Sequence, residues 1–189
     1  MGYKIENQGD IHFITMTVVG WVDVFSRQCY RDILIDSMKF CISNKGLIVY
    51  AFVIMPNHLH CIWQAKHENL SDIIRDFKKH TANEIIKTMK SSEESRKDWL
   101  KIVFEYHAKF NHNNSIYQVW QNGNHPMELY SPKFMRQKLD YIHLNPVRAG
   151  WVNQPEEYIY SSASNYSNKN GIMDITLLEI PLSDIGFIG

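Results

Sequence analysis

The 189-residue chain is 44% hydrophobic and 21% charged, with 9 Gly and 6 Pro, the balance of one compact domain with or without an appendage. Disorder, collagen and coiled coil are excluded. Formal net charge is zero, yet from Trp151 onward one base (Lys169) stands against five acids, so the first 150 residues carry an excess of four positive charges, which permits phosphate binding without demanding it.

Met1 to Gln8 lacks the basic and apolar regions of a secretory signal, so a cytoplasmic location is expected. Ile11 to Val19 alternates and is rich in β-branched residues, with Ile11, Phe13, Thr15, Thr17 and Val19 on one face; this predicts a strand ending at Gly20. Arg27 to Ser43 places Tyr30, Ile33, Leu34, Met38 and Cys41 at three- and four-residue spacing, an amphipathic helix. Asn44-Lys45-Gly46 stops it, and Leu47 to Met55 reads as a buried strand. That apolar run ends at Pro56-Asn57, far short of the roughly 20 residues a membrane span needs, so no membrane partner is expected. Beyond the turn, His58 to Trp63 alternates again as a hairpin partner.

Ser71 is a candidate cap for a helix with Leu70, Ile73, Ile74, Phe77, Thr81 and Ile85 on one side and Arg75, Lys78 and Lys79 away from that stripe. Lys90 to Asn114 is polar and charge-mixed and reads as a variable connection. Ile116 to Trp120 and Met127 to Tyr130 are candidate strands. Ser131-Pro132 is a helix start, and Pro146 is expected to limit that helix at about Asn145. Cys29, Cys41 and Cys61 show no pairing pattern and are expected to be buried free thiols. The order of elements predicts an α+β fold: a ferredoxin-like antiparallel sheet with helices packed on one face, spanning residues 1–152, with 153–189 as an appendage packed on it.

Two constellations carry chemistry. In His58-Leu59-His60, strand alternation points both imidazoles to one face, where they can converge on a metal, while Leu59 points into the core. With nine histidines in the chain, such a pair also arises readily by chance. Further on, helical spacing puts Phe134, Lys138, Tyr141 and Asn145 on one stripe, beside an apolar stripe of Met135, Leu139 and Ile142. Tyr141, with a lysine one turn back and an amide oxygen one turn on, has the parts of an activated nucleophile.

Phe52-Val53-Ile54-Met55-Pro56-Asn57-His58-Leu59-His60 resembles the HUH signature of the single-tyrosine transposases, and Asp140 to Gly150 (DYIHLNPVRAG) resembles their tyrosine-helix signature. Ser71 to Lys79 is similar to the basic helix after the HUH strand, and Tyr158 to Tyr166 to the Ser-Ser-Ala segment that follows the tyrosine helix. Roughly residues 10 to 166 are covered, and within the group the chain looks most like the REP-associated tyrosine transposases, relatives of the insertion-sequence-200-type enzymes. The resemblance implies that His58 and His60 bind Mg²⁺ or Mn²⁺, with Asn145 as a further ligand, and that Tyr141 is the nucleophile. It also implies cleavage of single-stranded or hairpin DNA through a 5′-phosphotyrosine, followed by strand transfer. Arg75, Lys78, Lys79, Lys133, Arg136 and Lys138 are the candidate DNA contacts. Both monomer and homodimer occur among such proteins, and the REP-associated branch tends towards the monomer.

A metal-dependent hydrolase of another kind is a rival, although no third Asp or His stands at an obvious spacing from His58 and His60. A hairpin-DNA-binding module that does not cut is the other, and the presence of every catalytic residue type favours the enzyme.

Overall fold

The computed structural model describes residues 5–91, 94–110 and 116–180. Strand β1 (His12–Thr17) leads through two short 3₁₀ turns to α1 (Gln28–Lys45), then β2 (Leu47–Met55), β3 (His58–Ala65) and α2 (Leu70–Ser91). Helix α3 (Lys97–Ala108), the short strand β4 (Met127–Glu128), α4 (Pro132–Arg148) and the one-turn α5 (Ala163–Tyr166) complete the described elements. The sheet runs β2-β3-β1-β4, every pairing antiparallel. This is the expected α+β architecture, with the strand order of a ferredoxin-like fold.

Alternation divides the strands between two cores. Ile14, Met16, Val49, Phe52, Leu59, Cys61 and Trp63 face α1 and α2, and join Tyr30, Leu34, Met38, Ile73, Ile74 and Phe77 in the larger one. On the other side Phe13, Ala51, Val53, Met55 and Ile62 pack against Leu139 and Ile142 of α4. Helices therefore cover both faces of the sheet rather than one. The reason is visible in β2, whose residues 51–55 are all buried: a strand apolar on both sides needs a layer on each.

Between 90 and 114, where a connection is expected from sequence, α3 forms. Leu100, Phe104 and Ala108, four residues apart, supply a buried stripe, while Trp99, Ile102 and Tyr106 stay exposed on its other faces and blur the amphipathic contrast. Just ahead of α3, the buried Glu94 carboxylate pairs with Arg27 at 3.1 Å and with Arg96 at 3.4 Å. Helix α2 begins before Ser71, with the Asn69 carbonyl accepting from the amides of Asp72 and Ile73, so Ser71 lies inside the first turn rather than at the cap. Ile116 to Trp120 contributes a single bridge, Trp120 to Val18, instead of a strand. Cys41 and Cys61 are buried, but Cys29 is exposed.

At the start of α4 the Ser131 hydroxyl accepts from the Phe134 amide at 3.3 Å, with Pro132 in the first helical position. The helix passes through Pro146 and ends three residues later than expected from sequence. A proline there withholds one N–H but does not stop the turn, because a closing motif follows. Gly150, at φ +75°, donates to Val147 O and Trp151 donates to Pro146 O, the paired bonds of a Schellman motif.

Of the segment read as an appendage, 181–189 lie outside the described residues, and the part before them runs along the outer edge of β2. Ile54 N donates to Tyr160 O, Ser162 N to Phe52 O and Thr176 N to Val49 O, all at 2.9–3.0 Å, so backbone groups of this strand edge that would otherwise invite another chain are occupied.

Candidate active site

The register of β1 against β3 sets Thr15 opposite His60 and Thr17 opposite His58. Both imidazoles project to the α4 side of the sheet, with ring centroids 4.5 Å apart, and Leu59 between them is buried in the opposite core. Phe13, two residues before Thr15 on the same face, stacks on His60 at 5.4 Å. Each ring has its Nδ1 engaged by a side-chain oxygen: Thr15 Oγ1 lies 2.8 Å from His60 Nδ1, and Asn57 Oδ1 lies 2.6 Å from His58 Nδ1.

Helix α4 brings Tyr141 to this pair. Its hydroxyl is 3.4 Å from His60 Nε2, and its ring lies 5.1 Å from the imidazole and edge-on to Phe13 at 6.0 Å. Lys138 Nζ lies over Phe13 at 4.7 Å and 5.8 Å from the Tyr141 ring, which Arg148 approaches at 5.9 Å from the other end. Two cations thus lie within about 6 Å of the Tyr141 ring, on a surface that remains open. Asn145, one turn beyond Tyr141, is half-buried, and its side chain makes no hydrogen bond among the described residues. The structure therefore brings His58, His60, Lys138 and Tyr141 together, with Asn145 on the adjoining turn.

Burial pushes the His60 imidazole down to about 3, reinforced by His58 and Lys138, and lowers that of His58 as well. Both rings are neutral near neutrality, the state a metal ligand needs. Partial burial also holds the Lys138 ammonium below its ordinary value.

Two residues past Tyr141, His143 turns to the sheet. Its Nε2 is 2.9 Å from Ser162 Oγ, which also accepts the Phe52 amide at 3.0 Å. This buried link ties α4 to the middle of β2, and burial lowers His143 to about 4.

The remaining cations divide by face. Lys133 and Arg136 are exposed on α4. Arg75 and Lys79 are exposed on α2, across the sheet, and Arg75 is paired with Asp72 and Asp76 at 2.5 and 3.1 Å. Lys78 is engaged inside the protein, donating to Gln121 O and Asn124 Oδ1 at 2.8 Å; burial lowers it to about 8. Sequence reasoning missed Thr15, Phe13, Asn57 and Arg148. The alternation of β1 already put Phe13 and Thr15 on one face, but only the pairing register says that this face is the histidines'.

Residues 7–107 match the family described as "Transposase IS200 like". The chain belongs to that family. The matched segment holds His58 and His60 but ends before α4, so Tyr141 enters the site on geometry. A REP-associated tyrosine transposase of Escherichia coli (strain K12) is 25% identical over 121 residues, covering 63% of this chain and 56% of that relative. The chain thus aligns with little more than half of the relative's length. The solved structure of the REP-associated tyrosine transposase bound to a REP hairpin superposes with a TM-score of 0.58 at 20% identity, covering 95% of this chain and 96% of that one. At that identity the likeness establishes the fold.

His60 and His143 make stability depend on acid. Both fold with values well below the ordinary 6.5, so below that pH the unfolded chain binds protons that the folded one refuses. Their contribution is complete above 6.5 and is lost as pH falls towards 3–4. Urea unfolding at pH 5 should show a stability lower than at pH 7.5 by about 2 kcal/mol per histidine, and His143→Gln should remove its share of that loss. An unfolding free energy that does not fall between the two pH values contradicts the assignment.

Proposed function

We propose that the protein is a metal-dependent DNA endonuclease and strand transferase that cleaves single-stranded or hairpin DNA through Tyr141. The observation carrying this is the approach of Tyr141 Oη to His60 Nε2 at 3.4 Å, beside His58 on the same face. The hairpin belongs to the solved neighbour, and the substrate class is extended to this chain with its fold.

The residues fit a divalent cation. Each imidazole has its Nδ1 occupied by a neighbouring oxygen, leaving Nε2 for a metal, and the Asn145 amide is uncommitted among the described residues. His58, His60 and Asn145 would hold Mg²⁺ or Mn²⁺, which supplies Lewis-acid polarisation of the scissile phosphate. Tyr141 Oη forms a bond to phosphorus as the bond to the 3′-oxygen breaks, and the phenol proton passes through solvent to that leaving oxygen. This yields a 5′-phosphotyrosine and a free 3′-OH. The phosphodiester energy is retained in that ester, so a 3′-OH of another strand reverses the step and completes transfer without ATP. Lys138 and Arg148, flanking the phenol, neutralise the phosphate as it approaches. Tyr141 reaches His60 of its own chain, at 3.4 Å, which favours the monomer in this reading.

DNA reaches this face of the sheet, so we assign the phosphate track to Lys133, Arg136 and Lys138 of α4. Tyr141→Phe keeps the ring and its packing and removes the attacking oxygen. It should retain DNA binding and lose both cleavage and the denaturation-resistant protein–DNA adduct; an adduct that persists contradicts the nucleophile. His58→Ala should abolish cleavage as well, leaving the fold intact.

Neutralising Arg136 or Lys133 should reduce the salt slope of hairpin binding by about one unit each. Arg75→Gln should leave the slope unchanged. A slope that responds to Arg75 and not to Arg136 would move the DNA to the α2 face.

A further inference from the structure

The hairpin turn between β2 and β3 carries an amide that is engaged at both of its ends. Asn57 Nδ2 lies 3.3 Å from the backbone oxygen of Trp21, and its Oδ1 lies 2.6 Å from Nδ1 of His58. A peptide carbonyl only accepts, so the NH₂ end of the amide must face Trp21 and the oxygen must face the imidazole. That oxygen also only accepts. The hydrogen between it and His58 therefore belongs to Nδ1, and the lone pair of the neutral ring sits on Nε2. Turning the amide over would set oxygen against oxygen at Trp21.

The Trp21 carbonyl is in place because the backbone there is left-handed twice in succession, Gly20 at φ +62° and Trp21 at φ +56°. For a tryptophan this conformation is disfavoured. Burial of the indole does not explain it, since the residue is 64% exposed. At Gly20 a side chain would be strained by the conformation and crowded by His107 Nε2, which would stand 3.3 Å from a Cβ. The turn is fastened to the hairpin it serves: Val18 N donates to Asn57 O at 2.9 Å, and Phe25 N donates to Pro56 O at 2.8 Å. Both ends of the amide bridge thus rest on one scaffold.

We infer that the left-handed turn at Gly20–Trp21 acts through Asn57 to lock His58 in its Nδ1–H tautomer, presenting the Nε2 lone pair to the cation-binding face. The lock matters because the free side chain in water favours the other tautomer, in which Nε2 bears the hydrogen and cannot ligate. His60 is treated differently. Its Nδ1 partner is the Thr15 hydroxyl, which donates or accepts and so imposes no tautomer by itself. Asn57 is a positioning residue, acting through His58, and its value to the reaction rests on the metal reading given above.

The tautomer can be read without metal or DNA. In the full chain labelled with ¹⁵N-histidine, long-range ¹H–¹⁵N correlation at pH 7.5 should show His58 protonated at Nδ1. Asn57→Leu should shift His58 to the Nε2–H form, leave His60 as it is, and weaken Mn²⁺ binding by about tenfold or more. Gly20→Ala, which strains the turn without touching Asn57, should shift the same signal in the same direction. Wild-type His58 carrying its hydrogen on Nε2 overturns the proposal, even if neither variant folds. So does an Asn57→Leu protein whose His58 tautomer is unchanged. Titration with Mn²⁺ separates the two ideas: a wild type that binds no Mn²⁺ ends the metal reading, while the nitrogen signals still decide the lock.

Discussion

The pairing of β1 with β3 is the constraint on which the site depends. In an antiparallel ladder a slip of one residue moves every side chain to the opposite face. Here such a slip would take Thr15 away from His60 and set a core residue of β1, Ile14 or Met16, against a histidine. The register is held by apolar side chains on both faces, which have no alternative place to be buried. Leu59, Cys61 and Trp63 are sealed under α1 and α2, and Ile62 under α4. The chemistry sits on a strand that the two cores leave no freedom to slide.

Helix α4 must then deliver Tyr141 to that strand at the correct height. Leu139 and Ile142 bury its inner stripe against Val53 and Ile62, and the link from His143 through Ser162 to Phe52 anchors it two residues from the phenol. Ser162 belongs to the segment lining the free edge of β2, so the chain after α4 both closes the sheet and steadies the helix before it. Opposite, the hairpin turn is fastened to the residues after β1. The site is framed by packing and by buried hydrogen bonds, with its open side towards Lys138 and Arg148.

Much of this is legible in the sequence, because the period of a strand or a helix is a local property. Leu47–Met55 follows directly from its apolar run and the Pro56-Asn57 break, and His58 to Trp63 from its alternation, with β3 running two residues further. The convergence of His58 with His60, and of Tyr141 with Lys138, follows from periods of two and of about three and a half. Which layers cover the sheet is not local. Placing α4 opposite α1 and α2 depends on β2 being apolar on both sides, and α3 was obscured by Trp99, Ile102 and Tyr106 on its outer surface. Lys78 illustrates the limit for charges. Lys79 beside it is exposed, yet the Lys78 ammonium is spent on Gln121 and Asn124, more than forty residues away. Thr15 and Asn57 escape notice as partners of the histidines for the same reason, since their contacts arise only when the ladder and the turn are assembled.

The central claim is that His58, His60 and Tyr141 form one metal-assisted strand-cleavage site on the α4 face of the sheet. Crystals grown with Mn²⁺ and measured for anomalous scattering test it most directly. The account predicts a peak within bonding distance of Nε2 of both histidines, with the Tyr141 hydroxyl beside it. Ordered Mn²⁺ bound elsewhere, with His58 and His60 uncoordinated, would contradict it.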